Sequence, residues 1–365
     1  MIPVALRAEV DLDAIRHNAR TLGVAGAMAV VKADAYGHGA VPVARALVDE
    51  GVEWLAVATV PEAEALRDAG VSTRILVFAA PLPEFLPAYE RLGLDAVVSS
   101  PEVAAAVMAR AAPVPVHVKV DTGMHRIGLA PATAAETVRQ LRAAGVEVAA
   151  LWTHFSMADA PDPSASFLQI RRFDGVLREL GADAPPLVHL ANGPAHVRFP
   201  PVASGPALHR LGGVLYGLRT GVLPEIDTTD LRPAMRLVAR VVHLQTVPAG
   251  ESVSYGETWT APRPTRVATL AVGYADGLPR ALSNVGHVGI GGGRAPIVGR
   301  ICMDVTMVDV DGLDVAVGDD AVVFGPGGPT AEAAATAAGT IVYELTAGLT
   351  ARVPRVYRRT GGSEG

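Results

Sequence analysis

The chain has 365 residues, half of them hydrophobic and 19% charged, with 31 basic and 37 acidic side chains giving a formal net charge of −6. That length suits two domains, and the apolar content suffices for a large core and excludes a disordered chain. There is no basic cluster of the kind that grips nucleic acid and no apolar run long enough to span a membrane, and the lone cysteine, Cys302, excludes an internal disulfide.

The first residues lack a basic stretch followed by a long apolar one, so no export signal is read and the cytoplasm is the expected compartment. Val4–Val10 reads as a lone strand. From residue 27 to about 217, short apolar runs then alternate with amphipathic segments. The expected strands are Met28–Val31, Trp54–Val57, Arg74–Val77, Ala96–Val98, Val116–Val120, Val148–Trp152, Leu187–Leu190 and Val214–Leu215. The expected helices between them include Val41–Asp49, Pro61–Asp68, Pro101–Arg110, Pro131–Ala143 and Ser164–Leu180, several opened by proline. Such repetition predicts an α/β fold with a parallel sheet, and eight strands suggest a closed (β/α)8 TIM-like barrel; an open doubly wound sheet is the alternative.

Several polar residues follow these strands. Lys32 follows the first, ahead of Gly37-His38-Gly39; Asp121 and Thr122 follow the fifth, which carries Lys119; His154 follows the sixth, Asn192 the seventh and Tyr216 the eighth. In a barrel those ends share one face, where chemistry is sited. A lysine at the mouth of an apolar strand either snorkels to water or is desolvated with a lowered pKa, and the latter is the kind that forms Schiff bases.

After about residue 230 the pattern changes. Leu237–Leu244, Arg266–Val272, Gly286–Ile290, Ala295–Val298, Thr306–Val310 and Asp320–Phe324 read as strands between Gly- and Pro-rich turns, with helices at Ala331–Ala338 and Thr340–Leu349. The expected organisation is residues 1–10 as a strand joining the second module, 11–230 as the barrel and 231–365 as a mostly β domain, joined through a hinge-like segment at Pro224–Pro233.

The segments together resemble the alanine racemase family, pyridoxal-phosphate enzymes of fold type III, over nearly the whole chain. The resemblance is carried by Ala29 to Gly39 (AVVKADAYGHG), Lys119 to Gly128 (KVDTGMHRIG), Thr153-His154-Phe155, Ser254-Tyr255-Gly256, Gly273 to Gly277 (GYADG) and Gly299 to Asp304 (GRICMD). It implies a cytoplasmic isomerase that uses pyridoxal 5'-phosphate, needs no metal, and interconverts L- and D-alanine, supplying D-alanine for peptidoglycan. It also implies a homodimer with composite sites, the β domain of each subunit serving the other's barrel. Removing an α-proton needs an electron sink, which an aldimine to that cofactor supplies.

By the resemblance, Lys32 is the Schiff-base lysine and one catalytic base, and Tyr255 of the partner subunit is the base on the opposite face. A tyrosine with an ordinary pKa of about 10 needs nearby positive charge to act so, and His154 and Arg210 are the natural sources. Arg210 is implied to face the cofactor's ring nitrogen, and Tyr36, His154, Gly212, Gly213, Asn192 and Gly193 to lie at the cofactor or its phosphate. Gly193 stands where many members carry a phosphate-binding serine, and Ala351 lies where some place a tyrosine. Arg126, Met303 and Tyr274 are implied at the substrate. Lys119 matches a lysine that some members carry as a carbamate holding Arg126; the plain alternative is a strand lysine paired with Asp121. The competing functions are a broader small-amino-acid (serine) racemase on the same scaffold and a non-catalytic pyridoxal-phosphate carrier protein, a single barrel without the β domain.

Overall fold

The computed structural model describes residues 4–24, 26–111, 114–199, 207–219 and 230–358. It contains two eight-stranded sheets. In one, Ala27–Val30, Trp54–Val57, Arg74–Val77, Leu94–Val98, Val116–Lys119, Val148–Trp152 and Leu187–His189 pair in sequence order, all parallel, and His209–Leu211 pairs back onto Ala27–Val30. The circle closes between the last two strands: the Leu208 N–H donates to the Val188 carbonyl at 2.9 Å and the Arg210 N–H to that of Ala191 at 3.0 Å. The sheet is a closed barrel, not an open one.

Alternation along each strand sorts its side chains. Leu55, Val57, Ile75, Val77, Ala96, Val98, Val116 and Val118 point outward into the main core under the helices. A smaller interior cluster holds Met28, Val30, Trp54, Leu76, Val97 and Trp152. Asp95, His117, Lys119, His189 and Arg210 are buried at the remaining positions of these strands. The runs therefore look uniformly apolar where both faces are greasy and broken where the inner face is polar.

That is why the eighth strand was misplaced by hydrophobicity alone. Val214–Leu215 lies in the 3-10 turn Gly213–Tyr216, and the strand is His209–Leu211, whose polar residues His209 and Arg210 hide it. Helices absent from the sequence reading also form, among them these two. Leu12–Leu22 starts at Asp11, whose carboxylate accepts from the N–H groups of Asp13 and Ala14, both at 2.9 Å. Leu86–Leu92 follows a short 3-10 turn. Pro131–Ala143 and Ser164–Leu180 have the bounds that periodicity gives.

The second sheet is built on the long strand Met235–Val247, which pairs with Leu6–Asp11, Thr265–Leu270 and Asp320–Phe324. Register shifts after Leu237 and after Val241 let one strand serve successive partners. Leu6–Asp11 lies between it and Arg355–Arg358. The chain thus starts in the β sheet, makes the barrel, and returns. Residues 224–229 of the supposed hinge lie outside the described residues. Among the described residues no helix is long and apolar enough to cross a membrane.

Candidate active site

Lys32 stands just past the first barrel strand, with Val31 between, where the backbone does something the sequence did not advertise. Ala33, Asp34, Ala35 and Tyr36 all take left-handed φ values, 52°, 52°, 53° and 55°. For residues with a Cβ each costs about 1–2 kcal/mol, so the turn must be held from outside. Glu62 does part of this: one carboxylate oxygen accepts from the Ala33 N–H at 2.7 Å, the other from the N–H groups of Ala58 (2.7 Å) and Thr59 (3.0 Å). Asp34 accepts from the Ala40 N–H at 2.7 Å. His38, fully buried, directs Nδ1 at the carbonyls of Ala35 (3.0 Å) and Tyr36 (3.1 Å) and stacks on Tyr216, whose hydroxyl donates to Val30 at 2.8 Å. Arg355 donates to the Gly37 carbonyl at 2.9 Å. A Cβ on Gly37 would collide with the Thr346 carbonyl, so glycine is required there.

Lys32 opens into a cavity of about 990 Å³, with its ammonium 6.0 Å from the Phe78 ring centre. Burial, then the charge of Arg126, lowers its pKa. Arg126, His154 and Arg210 line the same cavity, and Lys119 is buried beside it. Lys119 donates to the Ile127 carbonyl at 2.7 Å rather than to Asp121, which instead accepts from the N–H groups of Gly123, Met124 and His125. Burial, with Arg126 and Arg210 adding to it, brings the Lys119 pKa down to about 8.

Arg210 is almost fully buried. Nη1 donates to His189 Nδ1 (2.9 Å) and its carbonyl (2.7 Å); Nη2 donates to the carbonyls of Thr153 (2.8 Å) and Leu190 (2.9 Å) and reaches His154 Nδ1 at 3.2 Å. Its Nε has no partner. A buried donor without an acceptor, on a cavity wall, fits a ligand that brings one. Because guanidinium only donates, His154 Nδ1 is the bare acceptor, so the neutral ring carries its proton on Nε2. Burial, then Arg210 and the other cations, holds the His154 pKa well below the usual imidazole value, so His154 is neutral and does not supply the positive charge expected of it from the sequence.

Beside Arg210 a second corner is polar but uncharged. A Cβ on Gly212 would meet the Tyr36 hydroxyl, and one on Gly213 would overlap the Tyr343 ring. The Tyr36 and Tyr343 rings pack edge to face with centres 5.2 Å apart. Burial, then Tyr343, raises the pKa of Tyr36 and keeps its hydroxyl a donor. Tyr343 was missed in the sequence, where attention fell on Ala351; nothing in the Val342–Ala347 pattern marks it. Asn192 caps the short helix Gly193–Arg198, accepting from the Ala195 N–H at 3.1 Å. A Cβ on Gly193 would stand 3.0 Å from Val214 Cγ2, so Val214 crowds the space that a serine at 193 needs.

The remaining sequence candidates are elsewhere. Tyr255, Met303 and Tyr274 are 73%, 53% and 42% exposed, and none lines the cavity of its own chain. They belong to neighbouring loops. The Ser254 hydroxyl donates to the Arg300 carbonyl at 2.6 Å, the Tyr274 N–H to Cys302 at 3.1 Å, and the Ala275 N–H to Met303 at 3.0 Å. Cys302 is half-buried. The C-terminal helical segment does reach the cavity: Glu332, Ile341 and Tyr343 are among the residues that line it. Among the described residues no group of His, Cys, Asp and Glu side chains is gathered to hold a metal.

Family models for the alanine racemase N-terminal and C-terminal domains match residues 10–220 and 234–357. An alanine racemase of Desulfosudis oleivorans is 40% identical, covering 96% of both chains. One of Mycolicibacterium smegmatis is 43% identical over 96% of this chain and 94% of its own. The crystal structure of alanine racemase from a D-cycloserine-producing Streptomyces lavendulae superposes with a TM-score of 0.89 at 40% identity, covering 100% of this chain and 99% of that one.

Proposed function

The chain belongs to the alanine racemase family of isomerases, and we propose that it interconverts L-alanine and D-alanine with pyridoxal 5'-phosphate in a homodimer whose two sites are each completed by the other subunit. In a bacterium this activity supplies D-alanine for peptidoglycan. One observation carries the reading: a partly desolvated lysine amine and a buried arginine with an unpartnered Nε line one cavity.

The residues present fit the cofactor. Lys32 would hold its aldehyde carbon and Arg210 Nε its ring nitrogen. Tyr36, Tyr343 and the N–H groups of Gly212 and Gly213 would hold its phosphate, a donor set that the glycines leave room for. Asn192 and Gly193 complete that wall. Bound there, pyridoxal 5'-phosphate supplies the sink for the electron pair left when the α-proton departs.

This chain's own groups do the proton work. The lowered pKa of Lys32 makes its neutral amine accessible, so it can take or return a proton on one face of the α-carbon. The partner subunit's Tyr255 serves the opposite face. His154, with its proton on Nε2, offers a donor to a phenolate there, and the cations around it favour that charge. Arg210, held by five acceptors, does not pass a proton to a ring nitrogen, which limits how strongly the sink pulls. Arg126 and the partner subunit's Met303 are suited to the substrate carboxylate, and the partner subunit's Tyr274 narrows the mouth to a methyl-sized side chain. Lys119 has an amine able to add CO2, releasing one proton and leaving a carbamate that would hold Arg126.

The test is purified protein with L-alanine, L-serine and a larger amino acid, followed by chiral chromatography. D-alanine formation several-fold faster than D-serine formation, with borohydride fixing the cofactor to Lys32, is the expected result. Serine turned over as fast as alanine would redirect the reading to a broader racemase, and no turnover with cofactor bound would leave only a carrier.

A further inference from the structure

The polar groups inside the barrel continue well past Arg210. His189 Nε2 lies 2.9 Å from His117 Nδ1, and His117 Nε2 lies 3.0 Å from Oδ2 of Asp95. The same oxygen accepts from Arg74 at 2.9 Å, and Arg74 stacks over Trp54 at 4.3 Å. Arg74 begins its strand whereas Lys32 follows the end of its own, so the line runs from the cavity to the opposite end of the barrel. Asp95, His117, His189 and Arg210 are all buried.

The direction of every link follows from one fact. Guanidinium cannot accept, so His189 Nδ1 must be bare and its proton must sit on Nε2. That proton points at His117 Nδ1, which must then be bare too, leaving the His117 proton on Nε2 to meet the carboxylate. Asp95 only accepts, which closes the line consistently. Charge is at stake as well: each acceptor on Arg210 is a carbonyl or a neutral imidazole, and the anion at the end of its hydrogen-bonded line is Asp95. An unpaired buried cation is costly, and a carboxylate relayed through polarisable rings offsets part of that cost.

We propose that Asp95, acting through His117 and His189, is a positioning residue for Arg210: it sets the sense of the hydrogen-bonded line and keeps the guanidinium turned to His189, with Nε–H left unpartnered. This rests on the reading of Arg210 as the partner of the cofactor ring. In Asp95→Asn the amide can donate to His117 instead. The line can then reverse and put an N–H of His189 against an N–H of Arg210.

Two measurements test it. Nitrogen-15 NMR of histidine-labelled wild-type protein should show His117 and His189 as neutral Nε2–H tautomers, with or without cofactor. A proton on Nδ1 of either, or an imidazolium, overturns the proposal, and this result does not depend on which reaction is catalysed. In cofactor-loaded enzyme, Asp95→Asn should lower kcat by at least about tenfold with KM changed less than about twofold, and should shift the cofactor's ring-nitrogen resonance. His117→Gln, whose amide accepts and donates in the same sense, should keep kcat within about threefold, whereas His117→Leu should fall with Asp95→Asn. Wild-type kcat in a folded Asp95→Asn protein, or equal kcat in the Gln and Leu variants, overturns the proposal; the Gln and Leu pair decides if Asp95→Asn does not fold. Correct tautomers in a protein that binds pyridoxal 5'-phosphate but never racemises alanine would instead reject the functional reading.

Discussion

Lys32 is useful because its surroundings disfavour its charge. Burial and the neighbouring Arg126 both lower its pKa, against a weaker opposing pull from Glu62. Lys32→Ala should therefore abolish lysine-linked cofactor and racemisation in both directions, read by the visible spectrum and by chiral assay. Tyr255→Phe removes one hydroxyl from an exposed position, so the fold and cofactor colour should persist. Loss of α-deuterium from L-alanine should then slow by about 10²- to 10⁴-fold, the range for one positioned acid–base group. Exchange at the wild-type rate would reject Tyr255 as the second base. The apolar strand before Lys32 and the glycines after it were legible in the sequence. The lowered pKa was not, because it is set by burial in the folded barrel and by Arg126, which adjoins Lys32 only in space.

The left-handed turn Ala33–Tyr36 is sensitive to pH, because part of its support is a neutral histidine. Burial brings the pKa of His38 down to about 4 from 6.5. The unfolded chain binds that proton more readily, so stability contributed by His38 is complete above pH 6.5 and is lost as pH falls toward 4. Integrated over that window it is worth about 3 kcal/mol, of which about 2 kcal/mol should be lost between pH 7.5 and pH 5. Urea unfolding at the two pH values should show at least that loss in the wild type. A less steep pH dependence in His38→Phe is expected, and an unchanged one would place the acid sensitivity in other groups. No propensity scale anticipates four such residues at Ala-Asp-Ala-Tyr, since the conformation is held by Glu62 and Arg355 from distant segments together with the adjacent His38.

At the scale of the whole molecule, the barrel holds Lys32, Arg210 and His154 together, while Tyr255, Tyr274 and Met303 stand exposed outside the cavity of their own chain. Exposed aromatic and methionine side chains grouped on adjoining loops suit a surface that another protein covers. The proposed head-to-tail dimer would put one subunit's loops over the other's barrel mouth. Mixing unfolded Lys32→Ala and Tyr255→Ala chains and refolding them should restore activity, because half the heterodimer's sites would be intact. At random pairing, about a quarter of the sites regain both groups. Absence of any recovery, or an active monomer by analytical ultracentrifugation, would refute shared sites.

The barrel strands with apolar inner faces, the proline-opened helices and the chemical motifs were determined locally. They follow from side-chain period, turn chemistry and residue type, which a linear string displays. What the tertiary structure alone decided lies where contacts cross long sequence distances. The strand His209–Leu211 was hidden because its inward residue is an arginine satisfied by Thr153, His189 and Leu190. Tyr343 reaches the site from a C-terminal helix, and the Asp95–His117–His189 line joins three strands through hydrogen bonds. A buried polar side chain is stable only with its partners, and those partners are brought to it by closure of the barrel.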